Sequence, residues 1–273
     1  MLKQPEIQQV SDMVGTFPQT IAEEDRAVQD MEVFGIPELA RLEALELPDS
    51  DGEPMENERE RIQINLGIES LDQYWRERND FYVAGNMFLY YSVSQAQAVI
   101  KELNAPGLPK QAFRGPDLFV VLHTDGSYRR QKWVVWEEDG RYPDVILEFL
   151  SPTTRRIDLG EKKRLYEQTF RTREYFCFDY LNPSGENSLM GWRLDARGQY
   201  QPISPDERGW LWSEELTLWV GRWAGRILRA ETLWLRFYTP EGDLVRTQAE
   251  AEHQRAERLA AQLRAMGVEP EAF

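Results

Sequence analysis

Glu148 stands inside the run Val145-Ile146-Leu147-Glu148-Phe149-Leu150, where a carboxylate is costly to bury unless a cation, a donor or water meets it. The run Asp144 to Leu150 follows Pro143 and is short and apolar, which predicts a strand buried on both faces. Residues two apart on a strand share a face, so Asp144, Ile146, Glu148 and Leu150 point the same way. A second such run, Asp117 to Leu122, follows Pro116. If the two strands pair, Asp117 and Glu148 converge, and two carboxylates with water and phosphate oxygens are what Mg²⁺ accepts. A plainer reading needs no metal: Glu148 pairs with a basic residue and Asp117 closes a strand. Asp144, at the strand entry, is a further candidate ligand.

The elements that must position these groups follow from the hydrophobic pattern. Ile62, Leu66, Ile68, Leu71 and Trp75 recur at helical spacing and predict a helix from Glu58 to Arg78. Phe81 to Tyr91 reads as a strand, with Gly85-Asn86 a bulge or turn. Lys132 to Trp136 suggests a short strand ending at the turn Glu138-Asp139-Gly140. After Ser151-Pro152, Leu159, Leu165, Tyr166 and Phe170 mark one face of a helix from Asp158 to Phe170, followed by a strand from Glu174 to Tyr180. Strand, helix, strand is an α/β unit. Beyond Pro183, Met190 to Leu194, Leu216 to Val220 and Leu233 to Tyr238 read as antiparallel strands, with their tryptophans as packing rather than stacking residues. Thr247 to Met266 is helical throughout with a thin apolar stripe, the mark of a projecting helix or short coiled coil. The organisation expected is an arm over residues 1–50, a domain over 51–242 and a C-terminal helix within 243–273.

Charge restricts the partners. The 273-residue chain carries a net charge of −15, yet polyanion binding draws on neutralised phosphates. Acids crowd residues 20–60, whereas Arg129, Arg130, Lys132, Arg141, Arg155, Arg156, Lys162, Lys163 and Arg164 cluster beside the candidate chemistry. Arg155, Arg156 and Lys163 are the candidate nucleic-acid contacts. Cys177 is the single cysteine, so no disulfide framework exists and a reducing cytoplasm is the expected compartment. No apolar run is long enough for a membrane span, and the first residues lack a signal-peptide core. His123 and His253 lie too far apart to suggest a metal pair. There is no phosphate-binding Gly-rich loop and no nucleophile elbow.

Gly115-Pro116-Asp117, Pro143-Asp144 to Ser151-Pro152, and Asp158-Leu159 through Lys162 and Tyr166 to Glu174-Tyr175 and Asp179 form a linked set in fixed order. This set resembles the Uma-type restriction-endonuclease-like proteins of the PD-(D/E)XK nuclease superfamily, over roughly residues 51–242. The resemblance implies a restriction-endonuclease-like α/β (α+β) core, a mixed sheet flanked by helices, with extra antiparallel strands and a projecting helix. It places the metal-binding acids on Asp117 and Glu148. The superfamily Lys two residues after the second acid is Leu150 here, and the family pattern moves it to Lys162; helical geometry alone does not separate Lys162 from Lys163. Glu60 stands where relatives often carry His.

The expectation is a Mg²⁺- or Mn²⁺-dependent endonuclease that hydrolyses phosphodiester bonds of DNA, acting as a homodimer. Asp117 and Glu148 would hold the metal, and Lys162 would orient the attacking water. Glu56 and Glu60 are possible outer ligands. The alternative is a catalytically inactive module of the same fold that binds or assembles through its C-terminal helix.

Overall fold

The computed structural model describes residues 58–105 and 112–268; the arm at 1–50 and Glu56 lie outside them. A central sheet carries the strands β1 (Phe81–Gly85), β3 (Leu118–Leu122), β5 (Val145–Phe149), β6 (Glu174–Phe178), β7 (Leu189–Leu194) and β8 (Tyr200–Pro202), neighbours in that order. Its pairs are antiparallel except β5 with β6. The sheet is thus mixed, as the restriction-endonuclease-like core requires. Parallel strands need a crossover, and the helical run α3, residues 155–170, supplies it.

The three central strands are buried along their whole length, so alternate residues feed two separate cores. Leu118, Val120, Val145, Leu147, Phe149, Phe176 and Phe178 face helix α1 (Glu58–Tyr74) and a second, three-stranded sheet. That sheet contains β9 (Leu211–Ser213), β10 (Leu218–Ile227) and β11 (Ala230–Tyr238), with β10 in the middle. Phe119, Val121, Ile146, Leu150, Tyr175 and Cys177 face Tyr166 and Phe170 of α3. A two-stranded pair, β2 (Leu89–Tyr90) with β4 (Trp133–Val134), extends this second core. Gly85 sits where α1 crosses the sheet: a Cβ there would meet Ile64 and the carbonyl of Asp117.

α3 is not a plain α-helix. Arg155–Ile157 and Lys163–Leu165 are α-helical turns, while Asp158–Lys162 and Tyr166–Phe170 are π-helical. Four residues overshoot one α-helical turn by about 40° and fall short of the wider π turn. Alternating the two keeps Asp158, Lys162, Tyr166 and Phe170 in one row along the helix. Three of them are buried, and Lys162 keeps only 20% of its side chain exposed.

Several elements differ from their sequence readings. The strand Phe81 to Tyr91 breaks into β1 and β2 at Asn86, whose φ of 48° turns the chain where a bulge or turn was expected. Lys132 to Trp136 yields only the two residues of β4 before a 3₁₀ turn at Val135–Glu137. The segment before the site holds an unforeseen helix, α2 (Val93–Leu103), whose cap Ser92 accepts a hydrogen bond from the Gln95 amide. β10 and β11 form a hairpin far longer than the apolar segments that announced them. Helix α4 (Gln248–Ala265) begins at Thr247 in a capping box with Glu250 and buries none of its residues. Trp234 and Trp133 are core residues, and Trp210 stacks on Tyr238 at 3.7 Å, so packing is what the tryptophans do.

Candidate active site

Leu118 pairs with Leu147 across the antiparallel β3–β5 ladder; one step further along that register sets Asp117 opposite Glu148. Directly opposed residues on such a ladder share a face with Cβ atoms about 5 Å apart. The face is the one covered by α3. Asp117 Oδ2 accepts a hydrogen bond from the Phe149 amide at 2.7 Å, which pins its carboxylate beside the neighbouring strand.

Glu148 is fully buried. Tyr166 donates its hydroxyl to Oε1 at 2.5 Å, and Lys162 Nζ lies 2.9 Å from Oε2. The cation thus comes from the helix row, one turn before Tyr166. Leu150, where a strand-borne Lys would stand, is buried in the apolar core. Lys162 Nζ is also 3.0 Å from Asp158 Oδ1, close enough for an ion pair but off the hydrogen-bond direction. Asp158 itself is buried, and its carbonyl accepts from Tyr175 OH at 2.9 Å.

Three carboxyl groups surround one ammonium. Burial pushes the Glu148 carboxyl well above the usual range, and Asp117 and Asp158 push it further while Lys162 opposes them. Burial raises Asp117 as well, against the pull of Lys162, the Phe149 amide and Glu148. Burial alone would lower Lys162, but Glu148, Asp117 and Asp158 outweigh it and hold the ammonium charged. Among the described residues no group of three or more His, Cys, Asp or Glu side chains is arranged to hold a metal ion. A pair of hard carboxyl oxygen donors, whose charged forms a cation would favour against burial, nonetheless fits Mg²⁺, which keeps several waters and takes one or two carboxylates.

The other candidates lie elsewhere. Asp144 is at the far end of β5, four residues and roughly 13 Å of strand from Glu148, with Oδ2 accepting from the Leu122 amide at 2.7 Å. Glu60 belongs to α1, on the opposite face of the sheet, and accepts from Tyr180 OH at 3.0 Å. Neither is brought to the pair. Arg155 stands at the same end of the sheet as Glu148, bound to Asp179 at 2.9 Å. Arg156 is exposed beside Glu161 at 3.8 Å. Lys163 turns away from Lys162 and covers the Trp192 ring at 3.9 Å. The sequence reading gives Asp158 only a motif position and Tyr166 a motif position on the packing face of the helix. The signal that would have singled them out is the spacing of four shared by Asp158, Lys162, Tyr166 and Phe170.

No curated protein matches the chain. Residues 36–231, most of its length, match the model of a family described as Uma2, "Putative restriction endonuclease", and with the mixed sheet and the acidic pair opposed across its central strands, the chain belongs to that family.

Proposed function

We propose that this chain is a Mg²⁺-dependent endonuclease that hydrolyses phosphodiester bonds of DNA at Asp117, Glu148 and Lys162. One observation carries the reading: Lys162 Nζ lies 2.9 Å from Glu148, so a helix returns to the acidic pair the cation that its strand lacks at Leu150. Asp117 and Glu148 are the residues that would hold the metal, which when bound lowers the pKa of a water and polarises the scissile phosphate. Tyr166 and the Phe149 amide fix the two carboxylates, so neither has to reorganise when substrate arrives. Lys162, charged and tethered to Glu148, would orient the attacking water and stabilise charge on the phosphorane oxygens. Incubation with varied DNA and RNA in Mg²⁺ or Mn²⁺ tests this. Cleavage lost in Asp117→Ala is expected; cleavage that survives that change, or none on any substrate, refutes it.

A second reading is supported by the same ion pair. Lys162 satisfies Glu148 without any metal, as it would in a module that keeps the fold to bind or assemble and does not cut. Calorimetric titration separates the two: heat on adding Mg²⁺ or Mn²⁺ that vanishes in Asp117→Ala favours the nuclease. A site that ignores both ions favours the module. Helix α4 suits self-association in either case, since Leu259 and Leu263 are exposed along it and Met266 at its C-terminal cap.

A further inference from the structure

A chain of net charge −15 must present a local cationic surface to hold a polyanion. Residues 216–230 contain Arg222, Arg226 and Arg229 and no Asp or Glu. They form β10 and the turn into β11. Gln63 of α1 exchanges hydrogen bonds with the Leu235 backbone in both directions at 2.9 Å, and Arg59 donates to Thr232 at 2.7 Å. β11 therefore runs beside α1 in the same direction. At its start α1 also reaches Tyr180 through Glu60. Tyr180 lies just past β6, at the end of the sheet where Phe149 pairs with Phe178 and Asp117 faces Glu148. The hairpin tip is four residues beyond Thr232, roughly 13 Å further at strand rise. It projects past the end of the sheet that carries the acidic pair.

The tip is built unlike an ordinary turn. Ile227 pairs with Ala230 around the two-residue loop Leu228-Arg229. Leu228 has a φ of 53° and is 73% exposed, although that position of a tight hairpin favours Gly and strains a branched residue. Arg226 and Arg229 are exposed and make no ion pair among the described residues; Glu231, across the ladder from Arg226, does not close on it. The arm behind them is stiff. Trp223 and Trp234 face each other across the strands, Trp234 donates to the Gly225 carbonyl at 3.1 Å, and a Cβ at Gly225 would strike the Trp223 ring.

We infer that the β10–β11 hairpin is a DNA-binding arm that reaches past the end of the sheet carrying the acidic site, from the layer of α1 on the opposite face: Arg226 and Arg229 contact phosphates of a duplex, and Leu228 is the apolar wedge pressed into a groove. The choice of partner rests on the nuclease reading, but the contact itself does not require cleavage. Fluorescence anisotropy of the full chain with a fluorescein-labelled DNA duplex in EDTA, across a salt series, tests it. Arg226→Gln with Arg229→Gln should weaken binding and lower the slope of log K against log salt by about 1.8, the value for two lost phosphate contacts, with the thermal midpoint unmoved. Leu228→Gly should weaken binding at unchanged slope while raising the thermal midpoint, because Gly relieves the turn. Opposite effects on affinity and stability are not expected of a merely structural residue. The arm is overturned if both variants bind as the parent does, if the parent binds no duplex, or if it prefers anionic phosphatidylglycerol vesicles in a Leu228-dependent way. Arm-dependent binding without any cleavage would remove the nuclease reading and leave the arm; cleavage with unaltered binding by both variants would do the reverse.

Discussion

Lys162 and Lys163 are adjacent residues with opposite environments, one locked between Glu148 and Asp158 and the other resting on Trp192. Lys162→Met leaves buried carboxylates without their cation and is expected to cost about 3–5 kcal/mol, whereas Lys163→Met forfeits a cation–π contact of about 1 kcal/mol or less. Urea unfolding of both variants checks this; equal losses would mean that Lys162 is not the partner of Glu148. Asp117 gives a pH test. Its folded pKa is raised by burial, so the folded state favours the proton. That contribution is present below the unfolded pKa and is lost as pH rises through the folded one. Asp117→Asn, which cannot ionise, should therefore gain stability relative to the parent as pH rises from about 4, where the unfolded carboxyl titrates, through the raised folded pKa. A difference that stays flat across urea midpoints over that rise contradicts the assignment. The two acids were legible in the sequence because a carboxylate in an apolar strand is conspicuous. Their cation was legible only through the family pattern, because α-helical geometry treats both lysines as flanking one face, and the π turns that separate them leave no mark in composition.

At the scale of elements, the site depends on how closely α1 and α3 approach the sheet. Gly85 and Gly160 make opposite predictions. A methyl group on Gly85 would meet Ile64 and the Asp117 carbonyl, so Gly85→Ala should destabilise by about 1–3 kcal/mol and disturb the acid that the carbonyl belongs to. Gly160 lies in the helical run with no atom within 4 Å of an added Cβ, so Gly160→Ala should stabilise by about 0.5–1 kcal/mol. Denaturant midpoints decide both signs; a stabilising Gly85→Ala would show that α1 does not press on this edge. The central strands were readable because burial on both faces gives unbroken apolar runs. α2 was missed although Val93, Ala96, Val99 and Ile100 follow a helical rhythm behind a capping Ser92. The full hairpin was hidden for another reason: Arg222, Ala224 and Arg226 stand where large apolar residues would be as β10 leaves the core, and a strand without a buried face has no period-2 signal.

For the whole molecule, an α/β class could be read from the order of strands and helices and the restriction-endonuclease-like core only from the resemblance carried by the linked motifs, but the use of the C-terminal helix could not. α4 is tied to the body at its first turn, where buried Arg236 holds Glu250 and the Val245 carbonyl, and nothing along it is buried. Ala249, Glu252, Ala256, Leu259, Leu263 and Met266 fall at alternating spacings of three and four, the spacing that a coiled-coil seam would use. Glu252 on that seam would oppose its own copy in a parallel pair, and an antiparallel pair keeps the two carboxylates apart. A second chain bound this way doubles the mass from 32.0 kDa. Leu259→Glu with Leu263→Glu places charges in the seam without touching the core, because both residues are at least 38% exposed in the single chain. Sedimentation equilibrium should then show the parent as a dimer and the double variant as a monomer, with the thermal midpoint of the core extrapolated to low concentration unchanged. A dimer that persists in the variant would move the interface off α4 and onto the nuclease-like body, and a monomeric parent would leave the helix without a partner of its own kind.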